Sequence, residues 1–269
     1  MPMHHTSLPN KLNRLRSLLS EMGSVLVAYS GGIDSTFVLK VAHEQLGERA
    51  VGVTAVSPTF PASELEAAKR VAEEIGVRHD IVRTDQLEIP EFVRNDAARC
   101  YHCKTDLYQL LGTLRKSDAH VVDGTNLDDL GDDRPGITAA REWGVRSPLV
   151  DAELSKADIR ILAKDLGLSN WDKPAAACLS SRIPRGMPIT IEKLGRIESA
   201  EALLQREGFR QFRVRDHGEI ARIEILPEDM PSLMDPERRR RISAGLKALG
   251  FRFLTMDLEG YRPGGVSLG

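Results

Sequence analysis

The stretch that decides the fold is Val25–Thr36, which reads VLVAYSGGIDST. Its first part, Val25–Tyr29, is a short apolar, β-rich run of the kind that forms a buried strand in a parallel sheet. The Ser30–Gly32 segment follows as a tight turn, and a periodic run ending at Leu46 predicts a helix. A strand, a glycine turn and a helix N-terminus together predict an anion site, because unpaired N–H groups and the helix dipole both face the turn.

The anion expected at this turn is the phosphate chain of a nucleotide. The GxxxxGK[ST] pattern of the Walker loop is absent from the sequence, and so is its lysine. The stretch instead resembles the SGGxDS loop of ATP pyrophosphatases, which implies that ATP is cleaved between its α- and β-phosphates and leaves an acceptor as an adenylate. The alternative is a turn capped by Ser30 that binds no ligand. The residues predicted to contact ATP here are Ser30, Gly31, Gly32, Asp34 and Ser35, with Asp34 also a catalytic candidate.

Composition excludes several classes of protein. The chain has 269 residues, of which 41% are hydrophobic and 28% are charged, as in ordinary soluble proteins. Its formal net charge of -2 creates no global field that attracts nucleic acid, so we expect no nucleic-acid partner. The N-terminal segment lacks a signal-peptide core and no apolar run reaches the length of a membrane span, so we expect a cytoplasmic protein without a membrane partner.

Strands and helices alternate along the first half of the chain. Further short apolar strands are predicted at Ala50–Val56, Asp80–Thr84 and Ala119–Asp123, and a helix is predicted over Ser63–Gly76. This alternation predicts an α/β fold with a doubly wound parallel sheet like that of the ATP pyrophosphatases. Ligands of such sheets bind beyond the carboxyl ends of the strands, so the loops there are the candidate site.

The pattern changes after an irregular loop. The stretch Asn170–Pro188 is rich in Ala, Ser, Pro, Arg and Gly and has no periodicity, which is typical of an active-site loop at a domain boundary. The order that follows is helix, strand, strand, helix, strand, and it predicts a smaller C-terminal α+β domain. We therefore divide the chain into an ATP pyrophosphatase domain at 1–170, an active-site loop and linker at 171–189, and an α+β substrate and oligomerisation domain at 190–269.

Further polar residues are expected beside the phosphate loop. The turn DGTNLDD at 123–129 places carboxylates and amides at the end of a predicted strand. Because Mg²⁺ prefers carboxylate and phosphate oxygens together, Asp128 is a candidate magnesium ligand. The alternative is an Asx-rich turn with exposed acids. The further candidate nucleotide contacts are Thr54, Thr125, Asn126 and Arg134.

The chain has three cysteines. Cys100 and Cys103 form a CxxC, which by itself fits a redox pair, half of a zinc site or two buried thiols. Cys178 lies in the irregular loop near Arg182 and Arg185, whose positive charge favours a thiolate. Three thiolates can hold a cubane iron–sulfur cluster by three irons and leave the fourth open, and the alternative is three thiols with no chemical role. All three cysteines are therefore candidate catalytic and iron-binding residues.

Arginines are the candidate substrate ligands of the C-terminal part. A planar guanidinium group binds phosphate or carboxylate through two hydrogen bonds, although a solvated surface position is the alternative for each. The candidate substrate-binding residues are Arg182, Arg185, Arg213, Arg215 and Arg262.

Motifs along nearly the whole chain resemble one family. SGGIDST, DGTNLDD, DDRPG, SSRIPRG after a cysteine, RVRDHGEIARIEI and GFRFLTMDLEGYRPGG together resemble LarE. The resemblance implies an ATP-dependent sulfurtransferase in the assembly of the nickel-pincer nucleotide of lactate racemase. Its expected substrate is pyridinium-3,5-biscarboxylic acid mononucleotide. ATP adenylates each carboxylate in turn, and sulfur displaces AMP to give a thiocarboxylate.

The resemblance also bears on the sulfur source and the assembly. Some members sacrifice one cysteine in the loop before SSR, and others hold a 4Fe–4S cluster with three cysteines. Members of the first type lack the CxxC, so the resemblance implies the second type, with Cys100, Cys103 and Cys178 as ligands and a sacrificial Cys178 as the alternative. ATP, Mg²⁺ and a 4Fe–4S cluster are thus the expected cofactors, and a homo-oligomer resembling a dimer of trimers is the expected assembly. The residues further implied near the active face are Arg213, Arg262, Glu201 and Glu224.

Three other functions stay open on the sequence alone. An ammonia-dependent synthetase uses the same adenylation, but it gives three cysteines no role, and the chain has no glutaminase-like domain. A tRNA thiolase shares the loop and the cluster, but such enzymes usually add an RNA-binding module, and nothing in the sequence resembles one. A nucleotide-responsive metal-binding module without catalysis is the third, and turnover of ATP to AMP separates it from the enzymes.

Overall fold

The structure is a computed structural model that describes residues 7–115, 118–131, 135–174 and 177–262. In chain order its helices are α1 (Leu8–Met22), α2 (Ile33–Leu46), α3 (Ala62–Ile75), α4 (Pro90–Val93), α5 (Arg99–Leu114), α6 (Pro135–Glu142), α7 (Pro148–Asp151), α8 (Lys156–Asp165), α9 (Ile191–Arg206), α10 (Met230–Leu233) and α11 (Pro236–Ala248). Its strands are β1 (Val25–Ala28), β2 (Ala50–Val56), β3 (Arg78–Arg83), β4 (His120–Val122), β5 (Phe212–His217), β6 (Ile220–Ile225) and β7 (Phe253–Met256). None of the helices in those ranges is both long and apolar enough to cross a bilayer.

The chain divides into two units. The first comprises Met1–Ser57, Ala62–Asp85 and Cys100–Lys173, and the second comprises Pro58–Pro61, Gln86–Arg99 and Pro174–Gly269. The last boundary, after Lys173, falls inside the predicted linker. The second unit also takes two short segments from the N-terminal half, because they make their contacts with residues that are distant in sequence.

A parallel sheet forms the centre of the first unit. Its strand order is β3-β2-β1-β4, and every neighbouring pair is parallel. Val25 at the start of β1 lies opposite Ala50 on one side and His120 on the other, so β1 is an inner strand. The predicted α/β fold with a parallel sheet flanked by helices is confirmed.

Apolar side chains of α1 and α2 cover β1. Leu15 and Leu19 of α1 lie one helical turn apart and are fully buried, as are Phe37 and Leu39 of α2. Truncating a buried leucine of this kind to alanine costs about 2–5 kcal/mol. This packing fixes the start of α2 against the end of β1, and with it the turn that joins them.

The second unit has a smaller sheet in the order β5-β6-β7. β5 and β6 form an antiparallel hairpin in which His217 lies opposite Ile220, and β7 runs parallel to β6. Side chains from α9, including Ala200 and Leu204, and from α11, including Leu246, bury the inner face of this sheet. The predicted order of helix, two strands, helix and strand is therefore present in the C-terminal part.

Candidate functional site

The turn between β1 and α2 is shaped by two close approaches of neighbouring backbone. Gly31 has a φ of 72°, in the left-handed region, and a Cβ there would come within 2.7 Å of the Ala68 Cβ on α3. Gly124, just after β4, lies so near the start of α2 that a Cβ would come within 2.7 Å of the Ser35 nitrogen. Both positions therefore require glycine, and the loops at the ends of β1 and β4 meet at the N-terminus of α2.

The N-terminus of α2 presents backbone donors that the helix itself does not use. Gly32 is the N-cap residue and brings no side chain to cap the helix. The first N–H groups of a helix have no acceptor within it, so those of Ile33 and Asp34 face the turn. The Ser35 hydroxyl accepts from the Ser30 N–H at 3.2 Å and donates to the Gly32 carbonyl at 3.1 Å, which closes the loop on itself. This cradle has the positive potential that suits a phosphate.

The Asp34 carboxylate on the first turn of α2 meets polar side chains from two other loops. Asn126 Nδ2 donates to Asp34 Oδ1 at 3.4 Å, and the Lys156 ammonium forms an ion pair with Oδ2. Lys156 is the first residue of α8, whose N-cap Ser155 forms a capping box with Asp158. The Asp34 carboxylate, the Asn126 amide and the Lys156 ammonium therefore meet beside the cradle.

The turn at 123–129 uses its carboxylates for internal hydrogen bonds. Asp123 is buried and accepts from the Tyr108 hydroxyl at 3.1 Å and from Thr125 Oγ1 at 2.8 Å. Burial raises the pKa of Tyr108 to about 12, so the phenol stays protonated and remains a donor. Asp128 Oδ2 accepts from the backbone N–H of Lys156 at 2.8 Å, at the start of α8. Binding of ATP by Thr125 and of magnesium by Asp128 stay predictions.

Thr54 lies in β2, and its side chain is buried. Its hydroxyl donates to the Tyr29 carbonyl at 2.7 Å and lies 2.8 Å from His79 Nε2. Burial lowers the pKa of His79, which favours the neutral ring that can share this hydrogen bond. The hydroxyl therefore links β2 to β3 and to the residue after β1, and its contact with a nucleotide stays a prediction.

The CxxC lies in the first turn of α5. Cys100 is exposed and Cys103 is half-buried, and residues three apart share one face of a helix. The Lys104 ammonium lies 5.5 Å from the centroid of the Tyr108 ring. The electrostatic influence of Tyr108, and then that of Asp123, raises the pKa of Lys104 to about 12 despite its burial.

In the second unit, Arg182 organises the loop that carries Cys178. Its Nη1 donates to the carbonyls of Ala177 at 2.6 Å and Cys178 at 2.9 Å, and its Nε and Nη2 form a bidentate pair with Glu201. The residue is only 4% exposed. The Cys178 Sγ lies 2.9 Å from Ser180 Oγ. These contacts favour a positioning role for Arg182, and its contact with substrate stays a prediction.

Arg215 holds the same loop from β5. Its Nε and Nη2 form a bidentate pair with Glu224 at 2.9 and 2.8 Å, and its Nη1 donates to the Ser181 carbonyl at 2.7 Å. Arginine and glutamate are both buried, so each charge compensates the other in a place with little water. Glu201 and Glu224, implied near the active face, therefore act in the structure as partners of arginines.

Arg213 lies on the same face of β5 as Arg215, two residues away, and is half-buried. Its Nη1 donates to the Phe212 carbonyl at 2.6 Å, and its guanidinium lies 5.1 Å from the centroid of the Tyr261 ring. Burial, and then the positive charge of Arg182, lowers the pKa of Arg213. Binding of a phosphate or carboxylate by Arg213 stays a prediction.

The other predicted arginines lie at more open positions. Arg185 is exposed, just beyond the short helical turn at Leu179–Arg182. Arg262 pairs with Glu259 at 2.6 Å, and its side chain is 47% exposed. Arg134 lies outside the described residues. Substrate binding by Arg185 and Arg262, and nucleotide binding by Arg134, stay predictions.

The predicted magnesium and iron–sulfur sites are not established by the structure. Across the described ranges, no group of three or more His, Cys, Asp or Glu side chains is arranged to hold a metal ion. Cys100 and Cys103 belong to the first unit and Cys178 belongs to the second. The magnesium site and the 4Fe–4S cluster therefore stay predictions.

Three side chains beside the phosphate loop were not predicted from the sequence, namely Lys156, Asn170 and Lys173. Asn170 Nδ2 and Lys173 Nζ both donate to the Gly31 carbonyl, at 3.2 and 3.3 Å. Lys156 follows a recognisable N-cap, which is the signal that places it at a helix start. Asn170 and Lys173 lie in an irregular segment, where no periodic pattern indicates which side chains face the loop.

Comparison with known proteins adds independent information about the chain. A family model described as Asparagine synthase matches residues 15–122, which include β1, the phosphate loop and the strands on either side of it. The chain is 38% identical to the pyridinium-3,5-bisthiocarboxylic acid mononucleotide synthase of Lactiplantibacillus plantarum, over 96% of this chain and 94% of that protein.

Two further relatives are uncharacterized proteins. One, from Synechocystis, is 45% identical over 96% of this chain and 97% of its own length. The other, from Methanocaldococcus jannaschii, is 31% identical over 94% of this chain and 97% of its own length. The similarity therefore extends over both units, and it is not confined to the phosphate loop.

Proposed function

The chain belongs to the LarE family, and on this premise we propose that it uses ATP to convert pyridinium-3,5-biscarboxylic acid mononucleotide into the bisthiocarboxylic acid. Family membership, together with the matched nucleotide domain, makes it an ATP-dependent enzyme. The observation that carries the proposal is the glycine cradle between β1 and α2, in a chain that resembles a named synthase along 96% of its length. The product is a precursor of the nickel-pincer cofactor.

The first half-reaction is adenylation, and it belongs to the first unit. A carboxylate oxygen of the substrate attacks the α-phosphorus of ATP, the bond to pyrophosphate breaks, and an acyl adenylate forms. The N–H groups at the start of α2 hold the phosphates on which the leaving charge develops. Lys156, which pairs with Asp34, adds a cation beside them. Asp128 is the candidate ligand for Mg²⁺, which would supply further positive charge if bound.

The substrate anions belong to the second unit. Arg182 and Arg215 hold carbonyl groups of the 177–181 segment in place, so they fix the loop that carries Cys178. Arg213 lies beside them, and its pKa is lowered by burial and then by the positive charge of Arg182. We assign Arg213 to the substrate phosphate or carboxylate, with Arg262 as a second candidate. The substrate is then a nucleotide-like small molecule, not a nucleic acid.

The second half-reaction is sulfur transfer. Sulfide attacks the carbonyl carbon of the acyl adenylate, and AMP leaves with the electron pair of the broken C–O bond, so each sulfur consumes one ATP. Three cysteines fit a 4Fe–4S cluster that has one open iron, and Cys100 and Cys103 share one helix face as two such ligands require. A bound cluster would supply the sulfide.

Anaerobic reconstitution tests the sulfur source. We expect the protein to bind iron and sulfide, to show cluster absorption, and to make several thiocarboxylates per chain when sulfide is supplied. Replacing any one of Cys100, Cys103 and Cys178 with alanine should remove the cluster and multiple turnover, while AMP formation persists. If the protein binds no iron and Cys178 loses its sulfur after one turnover, the cluster proposal is contradicted. The sulfur would then come from Cys178 itself, in the sacrificial reaction.

The assembly is part of the same proposal. We expect a homo-oligomer, with a dimer of trimers as the expected form. Light scattering of the purified protein measures this directly, and a monomer at working concentration would contradict it.

A further inference from the structure

We propose that Asn170 and Lys173 are positioning residues that lock the Gly31–Gly32 peptide plane, and that this lock sets the affinity of the phosphate loop for ATP. The inference deepens the proposed function and rests on it only in taking ATP as the ligand of the loop. Neither side chain needs to touch ATP. Both act through the carbonyl oxygen of Gly31.

The direction of one carbonyl determines the direction of one N–H group. Asn170 Nδ2 donates to the Gly31 carbonyl at 3.2 Å, and Lys173 Nζ donates to the same oxygen at 3.3 Å. The peptide that follows Gly31 is trans, so its carbonyl and the Gly32 N–H point in opposite directions. The Gly32 N–H accordingly points away from Asn170 and Lys173, and in this structure it donates to Ser30 Oγ at 3.4 Å.

A peptide between two glycines needs such a lock. Glycine adopts positive and negative φ with similar ease, so the plane between Gly31 and Gly32 flips at little steric cost. Gly31 already has a φ of 72°. After a flip, the carbonyl oxygen would face the bound phosphate in place of the N–H, and repulsion would replace attraction. The two donors on the Gly31 oxygen stabilise the orientation that attracts an anion.

The environment of Asn170 indicates that its amide is needed as a hydrogen-bond donor to the loop. The residue is 7% exposed, and its Oδ1 is buried without a hydrogen-bond partner among the described residues. A buried polar atom in that state lowers stability, and a leucine of similar shape would avoid the loss. The compensating contacts are made by Nδ2, which donates to Thr36 Oγ1 at 3.0 Å as well as to Gly31. The amide is therefore directed at the loop and at the helix that follows it.

Lys173 is held at the same oxygen from the other direction. Its ammonium pairs with Glu64 Oε2 at 2.7 Å, and Glu64 is in the first turn of α3. That helix also supplies Ala68, which crowds Gly31. The loop is thus confined by α3 on one side and by the 170–173 segment on the other.

The test compares two variants of the full chain with a matched control. Asn170→Leu keeps the shape and removes the donor, and Lys173→Met removes the ammonium from a partly exposed position. Lys69→Met removes a comparable ion pair, with Glu66, from the exposed face of the same helix α3. Titration calorimetry gives the Kd for Mg²⁺ and α,β-methylene ATP and, separately, the Kd for the pyridinium substrate, and calorimetric scanning gives the Tm.

We expect the analogue to bind about tenfold more weakly to Asn170→Leu and to Lys173→Met, a change of about 1.4 kcal/mol. The Kd for the pyridinium substrate should stay within about twofold of the wild type, and Lys69→Met should change neither value. A general loss of structure would weaken both ligands together, and that result would overturn the lock. If Asn170→Leu fails to fold, Lys173→Met decides.

Failure of the lock and failure of the proposed function give different results. Wild-type affinity for the analogue in both folded variants would overturn the lock and leave the proposed function standing. A wild-type protein that binds the analogue but never forms thiocarboxylate would overturn the proposed substrate, while the variants still report on the lock.

Discussion

The two candidate anion sites of this chain are built from different materials. In the first unit the donors are backbone N–H groups at the start of α2, which carry partial charges and need no counter-ion. In the second unit the donors are guanidinium groups, and two of them, Arg182 and Arg215, are buried in bidentate pairs with Glu201 and Glu224. A backbone site stands ready when empty, whereas a buried side-chain cation needs a partner at all times.

The difference separates two kinds of role. The cradle binds whatever phosphate reaches it, so specificity must come from elsewhere. The paired arginines hold loop carbonyls in place, and Arg213, whose pKa is lowered by burial and then by Arg182, is the group that we assign to an arriving anion. The first unit is therefore expected to respond to changes in backbone shape, and the second to changes in individual side chains.

The largest effect is expected at Gly31. A Cβ in Gly31→Ala would lie 2.7 Å from Ala68 on a residue with positive φ, so the loop must move. Pyrophosphate release at low ATP should fall about a hundredfold, as overpacking and strain of about 3 kcal/mol imply. Gly32→Ala is the control, because its Cβ would meet only Ser30 Oγ, at 3.3 Å, and should lower the rate by about fivefold at most. An equal fall in the rate of pyrophosphate release in both variants would contradict the claim that the close approach of Ala68 makes Gly31 the more sensitive position.

The next effect concerns Lys156, whose ammonium pairs with Asp34 in the first turn of α2. Lys156→Met removes a charge-assisted contact to phosphate and should raise the KM for ATP about tenfold. Lys11→Met is the control, since Lys11 pairs with Asp158 in the first turn of the same helix α8, at 2.7 Å. Steady-state assays of AMP formation give both values. An unchanged KM for ATP in Lys156→Met would show that Lys156 does not contribute to ATP binding and that the backbone N–H groups bind the phosphates without it.

A smaller and more selective effect is expected in the second unit. Arg213→Lys keeps the charge and loses the planar donor pair, so the KM for the pyridinium substrate should rise about fivefold while the KM for ATP stays unchanged. Arg215→Lys should instead lower the Tm, because lysine cannot reproduce the bidentate pair with Glu224. The two KM values are measured in assays that vary each substrate in turn. Equal changes of both KM values in both variants would contradict the assignment of substrate binding to Arg213 and of a structural role to Arg215.

The smallest effect is a pH dependence of stability in the first unit. Burial places the pKa of His79 below its ordinary value of 6.5, so protonation favours the unfolded chain. The stabilisation is complete above pH 6.5 and is lost as pH falls through the lower pKa of the folded state. The Tm should therefore decline on acidification less steeply in His79→Gln than in the wild type. His43→Gln, at a half-buried position whose ring contacts the Gly47 carbonyl, serves as the control and should follow the wild type.

The contrast between the two sites also explains what the sequence could predict. The strand, the glycine turn and the helix start are local patterns, so the sequence indicates the fold of the first unit and the position of its phosphate loop. Asp34 is part of that motif, but Lys156 reaches it from 122 positions away, and local patterns do not encode such a distance. The capping box at Ser155 predicts where α8 begins and not what its first side chain contacts.

The arginines show the opposite limit. Their residue type and density indicate anion chemistry, but the sequence does not distinguish an arginine that faces substrate from one that is paired with a buried glutamate. The pairs Arg182–Glu201 and Arg215–Glu224 form only when α9, β5 and β6 have packed together. The positioning role of Arg182 therefore follows from tertiary contacts and not from the SSR motif in which it lies.

The most direct test of the central claim is the stoichiometry of the complete reaction. The purified protein is incubated anaerobically with ATP, Mg²⁺, sulfide and pyridinium-3,5-biscarboxylic acid mononucleotide, and the products are measured by mass spectrometry and nucleotide chromatography. The account predicts one AMP and one pyrophosphate for each sulfur incorporated, up to two sulfurs per substrate, with no AMP when the substrate is omitted. Formation of ADP and phosphate, or AMP that accumulates equally without the substrate, would contradict it.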